Sequence, residues 1–228
     1  MPSVTISRAI SDGLRILKEY FWPGILIVII LFILDSFGQG SVVRSGFYSP
    51  GWWMDEDQTS GGFLAFIIAV LIKPVFDAGS NLVFLQALRG EGMEVKDVAR
   101  GFDTRELYID IILANLLVWV CIILGLICFI LPGIYVACRS ILTPYLVIDK
   151  GLGPREAFNA SWELMRDFWF NVIWLGIIAA CMCIVGFMLL FVGIFPAVGW
   201  IKGMFVSFYQ QVIDVHDEEF LRSLDIEP

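Results

Sequence analysis

The segment LPGIYVACRSILTPYLVIDK, residues 131–150, decides the fold because it carries an arginine inside an apolar run. Pro132 and Gly133 form a turn signal near its start, Arg139 interrupts the apolar residues, and Pro144 follows. A charged side chain inside an apolar segment costs about 2.5–3.5 kcal/mol on membrane-insertion scales, so it usually faces the interior of a helical bundle. The segment therefore indicates a membrane helix that packs against other helices.

Composition also indicates a membrane protein. Of the 228 residues, 58% are hydrophobic and 17% are charged, and the mean hydropathy is +0.81. Soluble domains average roughly 45–50% apolar and about 25% charged residues. One core of this size cannot hide so much apolar surface, so we expect hydrocarbon to surround the chain. With a net charge of −8 we expect no nucleic-acid partner, because phosphate binding needs a basic surface.

Six segments are candidates for membrane helices, which need about 20 mostly apolar residues. They lie near residues 21–38, 62–88, 107–130, 133–148, 169–194 and 197–213. A proline turn separates the third from the fourth and the fifth from the sixth, which predicts helical hairpins. The fourth is short, and three interpretations stay open: a tilted helix, a helix kinked at Pro144, or a helix that its neighbours shield from lipid.

The basic residues predict that both termini are cytoplasmic, because lysine and arginine accumulate on that side of a membrane. Arg44 is the one basic residue in the predicted outer loop at 39–61. The eleven on the opposite side are Arg8, Arg15, Lys18, Arg89, Lys96, Arg100, Arg105, Lys150, Arg155, Arg166 and Arg222. The apolar run after the chain opening has no small-residue cleavage motif, so we expect the first span to direct insertion.

Amphipathic lead-in segments precede the predicted hairpins. The lead-in segments at 7–22 and 154–170 align without gaps at an offset of 148, which matches residues 7–22 with 155–170, and residues 95–108 form a weaker middle copy. Segments of this kind lie at the headgroup boundary with their apolar side down. The pattern predicts a repeated unit, although any span also needs some amphipathic lead-in, which is the alternative explanation.

The predicted fold is therefore all-α, with six transmembrane helices in three hairpins, each preceded by a cytoplasmic interfacial helix. We expect one membrane domain at residues 1–213 and an acidic cytoplasmic tail at 214–228. Within the membrane domain, the predicted units are residues 1–90, 91–150 and 151–213.

Five charged residues lie within the predicted spans: Asp35, Lys73, Asp77, Arg139 and Lys202. Lys73 and Asp77 lie four residues apart and can pair on one helix face, and Pro74 between them predicts a kink. Counting 1.5 Å per residue from the outer ends places Asp35 at about 5 Å, Arg139 and Lys202 at roughly 9 Å, Lys73 near 18 Å and Asp77 near 24 Å.

Asp35, Arg139 and Lys202 thus share one predicted layer on three different spans. We expect a buried polar cluster with Arg139 as its hub, because a guanidinium can bind a carboxylate and backbone carbonyls together. Such a cluster either holds the hairpins together or forms a pathway for an anion, a proton or a lipid headgroup. Outward snorkelling of the cations is a further alternative.

Tryptophans near the predicted membrane surfaces are expected to anchor the chain among the lipid headgroups. Trp52 and Trp53 lie in the outer loop, where contact with a partner is the alternative, and Trp162 and Trp169 lie in the third lead-in segment. Tryptophan suits this boundary because its body is apolar and its N–H reaches water.

The sequence carries no motif for catalysis, cofactor binding or metal binding. It contains no P-loop, GxGxxG or HExxH motif, and no serine in a nucleophile elbow. Its five cysteines lie in apolar runs without a CxxC pair or a nearby histidine, which is typical of small buried side chains. We therefore expect neither an enzyme nor a bound cofactor or metal.

Three segments carry a resemblance to known proteins: LQALRGEGMEVKDVARGF (85–102), the block from LPGIYVACRS to LMRDFW (131–169) and GIFPAVGWIKGMFVSFYQQV (193–212). The chain resembles a family of bacterial and archaeal polytopic membrane proteins, and the membrane domain that precedes the catalytic barrel of some glycerophosphodiester phosphodiesterases. The resemblance implies six helices and a membrane location, and supplies no substrate. The barrel is absent here, so no hydrolase activity carries over, and the long outer loop departs from the pattern.

From these features we expect a non-catalytic integral protein of a prokaryotic cytoplasmic membrane, acting as an accessory, scaffold or assembly subunit. Its expected partners are the lipid bilayer, other membrane subunits and, for the polar cluster, an anionic lipid. The alternative is a small transporter or lipid-handling protein that uses the polar cluster. A transporter predicts a water-accessible cavity that reaches Arg139 or Lys73, whereas an accessory subunit predicts a dry bundle with an apolar flank for a second chain.

Overall fold

The computed structural model describes residues 4–46, 71–128, 130–188 and 193–216. Of these residues 87% are helical and none is in a strand, which confirms the all-α class. In chain order the helices are α1 (Ile6–Glu19), α2 (Phe21–Gly46), α3 (Lys73–Arg89), a 3-10 helix (Val95–Phe102), α4 (Arg105–Cys128), α5 (Ile130–Arg139), α6 (Thr143–Lys150), α7 (Pro154–Leu164), α8 (Trp169–Met188) and α9 (Ile194–Val215).

Three helical stretches within these ranges are long and apolar enough to cross a membrane: Arg105–Ile127, Leu131–Lys150 and Trp169–Met188. A fourth is added if α1 and the first part of α2, which meet at 99°, are counted as one broken span. In the apolar 18-residue stretch of α4 only 11% of the residues are buried, and in that of α8 only 17% are. Large hydrophobic side chains such as Trp119 and Ile127 therefore face outward. Exposed apolar surface of this extent is compatible with an integral membrane protein.

The segment at residues 131–150 is kinked, and neighbouring helices cover much of it. Its helix breaks at residues 140–142, and the α6 helix restarts with Pro144 in its first turn. Pro144 lacks an N–H and its ring would clash with the Ser140 carbonyl in a continuous helix. That carbonyl instead accepts a bond from the Thr143 N–H at 3.1 Å. In the apolar 18-residue part of this segment 56% of the residues are buried, so neighbouring helices cover much more of it than of α4 or α8.

The helix starts follow the offset between the first and third lead-in segments. Helix α1 begins at Ile6 and α7 at Pro154, and the following helices α2 and α8 begin at Phe21 and Trp169. The middle lead-in segment differs because it is a 3-10 helix, Val95–Phe102. Gly90 and Gly151, which end α3 and α6, adopt left-handed φ values of 80° and 66° that cost glycine little.

The aromatic corner after each α-helical lead-in is also shared. Phe21 and Trp22 meet edge to face at 5.9 Å, and Trp169 and Phe170 do the same at 5.8 Å. The interplanar angles are 82° and 80°. The two aligned segments therefore share this aromatic pair, although one residue separates α1 from α2 and four residues separate α7 from α8.

Each lead-in helix packs on one of the central helices of the bundle. Helix α1 packs mainly on α9, the 3-10 helix on α3, and α7 on α6. The central helices α3, α6 and α9 contribute the most buried side chains, among them Phe84, Leu146 and Phe208. Helices α2, α4 and α8 lie outside them and carry most of the exposed apolar side chains. The bundle thus has an inner layer of helices that holds the polar residues described next.

Candidate functional site

Lys202 on α9 forms the first polar group, with oxygens from α3. Its Nζ donates to Ser80 Oγ at 2.7 Å and to Asn81 Oδ1 at 3.2 Å, and lies 3.5 Å from Asp77 Oδ1. Three oxygens therefore surround the ammonium group, and Lys202 joins α9 to α3. The ion-pair partner found for Asp77 is on another helix, while its predicted pairing with Lys73 stays a prediction.

This contact corrects the predicted depths of two charges. Counting from the outer helix ends places Lys202 and Asp77 about 15 Å apart in depth, yet their side chains touch. Counting from the opposite ends removes the conflict. Asp77 lies twelve residues before Arg89, the end of α3, and Lys202 lies thirteen before Val215, the end of α9. Both are then about 18–20 Å from those ends. The outer ends are the poorer reference because the sequence does not mark where they lie.

Arg139 forms a second polar group, on α5 and α7. Its Nε donates to the Trp162 carbonyl at 3.0 Å, one terminal nitrogen donates to the same carbonyl, and the other donates to Tyr135 Oη at 2.7 Å. The guanidinium carbon also lies 4.3 Å from the centre of the Trp162 ring. The buried arginine thus satisfies a backbone carbonyl and covers an aromatic face.

The structure does not join Arg139 to Lys202. The partners of Arg139 in the described ranges lie on α5 and α7, whereas those of Lys202 lie on α3. The side chain of Asp35 lies outside the described residues. Among the described side chains, Arg139 and Lys202 therefore belong to separate polar groups, and the predicted link of both to Asp35 stays a prediction.

The α5–α6 segment and α9 can be aligned with each other in sequence. Aligning Pro132 with Pro196 also aligns Tyr145 with Tyr209 and requires no gap. The same alignment matches Arg139 with a glycine of α9, Gly203. The two helices can therefore be compared position by position.

This match places Arg139 at a crossing between two helices. Helix α9 crosses α1 where a Cβ on Gly203 would lie 3.1 Å from the Gly13 Cα. Gly13 is matched by Ser161 in α7, and Ser161 Oγ donates to the Arg139 carbonyl at 2.7 Å. The matched residues of both pairs thus meet. Arg139 thus occupies a helix-crossing position, and its side chain bonds to the Trp162 carbonyl of the lead-in helix α7.

A third polar group was not predicted as a site. Arg89 donates to both carboxylate oxygens of Asp149, at 2.7 and 3.0 Å, and to Gln210 Oε1 at 3.1 Å. Tyr209 Oη donates to Asp149 Oδ2 at 2.8 Å, and the Tyr209 ring stacks on Tyr145 at 5.3 Å. The group joins the ends of α3, α6 and α9.

The electrostatics of this third group favour its charged state. Burial acts to lower the pKa of Arg89, but the hydrogen bonds and charge of Asp149 outweigh burial, so this pKa is raised above its ordinary value. The available sequence signal was one basic and one acidic residue at the ends of two predicted spans. From the sequence, Arg89 contributes only to the predicted orientation of the chain.

Asp149→Asn is expected to destabilise the protein by about 1.5–3 kcal/mol, because Arg89 and Tyr209 lose a charged acceptor. The fall is checked by thermal unfolding in detergent. Lys96→Gln is the matched control: it removes an exposed ion pair with Glu94, which contributes little. Equal melting temperatures for the Asp149 variant and the wild type would show that this group does not hold the helices together.

Thr143 carries the buried side-chain oxygen that has no hydrogen-bond partner in the described ranges. Its match in α9, Ser207, donates to Asp12 Oδ2 at 2.8 Å. The residue that matches Asp12 in α7 is Ala160, which offers no acceptor. The orphaned hydroxyl is thus explained by a difference between matched helices.

Opposite effects are expected at these two matched positions. Thr143→Val keeps the shape and removes the unpaired hydroxyl, so it should raise stability by about 1 kcal/mol. Ser207→Ala removes a bond to Asp12 and should lower stability by about 1 kcal/mol. Thermal unfolding of both variants checks the signs, and a loss of stability in Thr143→Val would contradict the assignment.

Trp162 and Trp169 both pack against Tyr135, with ring centres 5.9 and 5.4 Å away. Both tryptophans are only half-buried, and their role as headgroup anchors stays a prediction. Trp52 and Trp53 lie outside the described residues.

Two cavities bounded by described residues lie at the lead-in helices. One, of about 400 Å³, has a polar lining that includes Gln86, Lys96 and Arg100, and the other, of about 550 Å³, borders α1. Neither is lined by Arg139 or Lys73. In the ranges that the structure describes, no group of three or more His, Cys, Asp or Glu side chains is placed to hold a metal ion.

Comparisons of the chain with protein-family models, with curated proteins and with solved structures find no match.

Proposed function

We propose that the protein is a non-catalytic integral membrane protein that serves as an accessory or assembly subunit of a membrane complex. The observation that carries this proposal is how Arg139 and Lys202 are used. Each makes hydrogen bonds to another helix of the same chain, so each acts as a helix-to-helix connector. A residue that bound a passing ion or substrate would need donors left over for it, and the three N–H donors of Lys202 already face three oxygens, those of Ser80, Asn81 and Asp77.

The proposed arrangement is six spans in three hairpins, with both termini in the cytoplasm of a prokaryotic cell. Two close helix approaches support the hairpins. A Cβ on Gly125 of α4 would lie 2.9 Å from the Gly133 Cα in α5, and one on Gly186 of α8 would lie 2.8 Å from the Gly193 carbonyl oxygen. Small residues at such approaches let membrane helices pack tightly.

The proposed partner is a membrane protein chain that packs on the apolar flank of α4. This flank exposes Trp119, Leu124 and Ile127, and lipid covers the rest of the bundle. Aromatic side chains supply much of the contact energy at protein interfaces, which favours Trp119 as part of the contact.

Transport or lipid handling is the second candidate, and the Asp77 carboxylate is the observation that favours it. The Asp77 side chain is 42% exposed although it pairs with Lys202, and Lys73 lies one turn before it on α3. Two cations with one carboxylate leave a positive excess that suits an anionic ligand.

Labelling at Asp77 separates these functions. In a cysteine-free background, Asp77→Cys is treated with a membrane-impermeant maleimide after reconstitution into vesicles. The accessory role predicts no labelling, because lipid or protein and not water would then cover the exposed part of position 77, whereas a transporter predicts labelling that a small anion slows. Lys96→Cys, at an exposed position on the 3-10 helix, is the positive control.

Photo-crosslinking tests the partner directly. A photoreactive amino acid at Trp119 is expected to form an adduct with one defined polypeptide in native membranes. The same group at Trp22, exposed on α2, is the control and should react mainly with lipid. Lipid adducts alone at both positions would overturn the accessory role.

A further inference from the structure

The face of α1 that turns away from α9 carries a groove that the proposed function does not use. Helix α1 packs inward through Ala9, Gly13 and Ile16, which are buried. On the other side, a groove of about 550 Å³ is lined by Ser11, Leu14, Arg15, Lys18 and Glu19. The described residues that line it all belong to α1.

The groove combines an apolar wall with a cationic rim. Half-buried Leu14 and the methylene stems of Arg15 and Lys18 form its largely apolar walls. Two cations and the single carboxylate of Glu19 leave one positive charge at the rim. Arg8 lies on α1 just before the groove residues, and its Nε is 3.9 Å from Asp12 Oδ2, so the charge of Arg8 is already balanced by Asp12. A fitting occupant has an apolar chain and an anionic head.

The position of α1 indicates which amphiphile this is. Helix α1 meets α2 at 99°, and the exposed rings of Phe21 and Trp22 mark the corner. Aromatic side chains of this kind gather at lipid headgroups, next to the anionic surface of the cytoplasmic leaflet. We propose that the α1 groove binds one anionic phospholipid, with its phosphate against Arg15 and Lys18 and an acyl chain along Leu14. This inference rests on the proposed placement of α1 at the cytoplasmic face.

The matched face of α7 is already filled, which makes the α1 groove specific. The residue that matches Leu14 is Trp162, whose ring lies under the Arg139 guanidinium at 4.3 Å. The residue that matches Arg15 is Glu163, which would repel an anionic head. The repeat therefore retains an open, cationic surface on α1 and not on α7.

Native mass spectrometry with defined lipids tests the proposal on the full chain. The protein is purified in a mild non-ionic detergent and mixed with equimolar phosphatidylcholine and phosphatidylglycerol of the same acyl chains. The wild type is expected to retain phosphatidylglycerol about tenfold more often, since each cation near a membrane surface strengthens anionic-lipid binding severalfold. Arg15→Gln with Lys18→Gln should reduce the preference to less than about twofold.

Two matched variants control this experiment. Lys150→Gln with Arg155→Gln removes the same charge at exposed cytoplasmic-side positions outside the groove and should keep the preference. Arg15→Lys with Lys18→Arg keeps the charge and should also keep it. Equal retention of both lipids by the wild type, or an equal loss in both glutamine variants, overturns the proposal. A chain that is monodisperse without detergent would instead overturn the membrane placement itself, so the two failures are distinguishable.

Discussion

Gly79→Ala is expected to lower the melting temperature in detergent by about 10 °C, which corresponds to about 3 kcal/mol or more for a chain of this size. A Cβ at this position would lie 2.7 Å from the Val98 carbonyl carbon and closer still to its oxygen. Both atoms belong to the backbone of the 3-10 helix, so no flexible side chain can move aside. The α3 helix and the 3-10 helix would have to separate.

Gly176→Ala is the matched control for Gly79→Ala. A Cβ on Gly176 meets no heavy atom within 4 Å, because this part of α8 faces outward. Alanine is the better residue in a helix by about 0.5–1 kcal/mol, so this variant should melt at or slightly above the wild-type temperature. If the two alanine variants melted together, α3 would not pack on the 3-10 helix as described.

Arg139→Leu is expected to lower the free energy of unfolding by about 3 kcal/mol or more, because it leaves the Trp162 carbonyl and the Tyr135 hydroxyl without their donor. Leucine also exposes the Trp162 ring that the guanidinium covers. The melting temperature should fall by about 10 °C, with lower expression. Arg139→Lys should recover part of the loss, because lysine keeps the charge and can donate a hydrogen bond but has no planar guanidinium to cover the Trp162 ring.

Arg166→Leu is the control for the arginine, since it makes the same chemical change just after α7 at an exposed site. Its stability should stay within about 0.5 kcal/mol of the wild type. Normal expression and an unchanged melting temperature for Arg139→Leu would show that this arginine does not hold α5 to α7.

Local patterns predicted where the first and third lead-in helices begin, and a kink at Pro144 was one of three interpretations of the fourth segment. The alignment of the first and third lead-in segments places the starts of α7 and α8 from those of α1 and α2, because each segment specifies its own amphipathic face and its own turn. The kink before Pro144 follows from the missing N–H of proline, which acts within one turn of helix. Such features depend on residues close together in sequence.

Contacts between distant helices could not be predicted in the same way. Lys202 binds Ser80 and Asn81, which are far away in sequence, because of the register in which α9 packs along α3. Sequence spacing identifies neighbours on one helix and says nothing of that register. The partner of Arg139 on α7 is a backbone carbonyl, which every residue has and which no residue type signals. The hydrogen bonds between Arg89 and Asp149 could not be predicted for the same reason, because these residues lie on different helices.

Cysteine accessibility in intact cells tests the membrane arrangement most directly. In a cysteine-free background, single cysteines replace Ser11, Lys96 and Arg155, one exposed position in each lead-in segment. If three hairpins separate these segments, none reacts with an impermeant maleimide outside the cell and all three react after lysis, while Gln58→Cys in the outer loop reacts in intact cells. Labelling of any one of the three lead-in positions from outside an intact cell would contradict the arrangement.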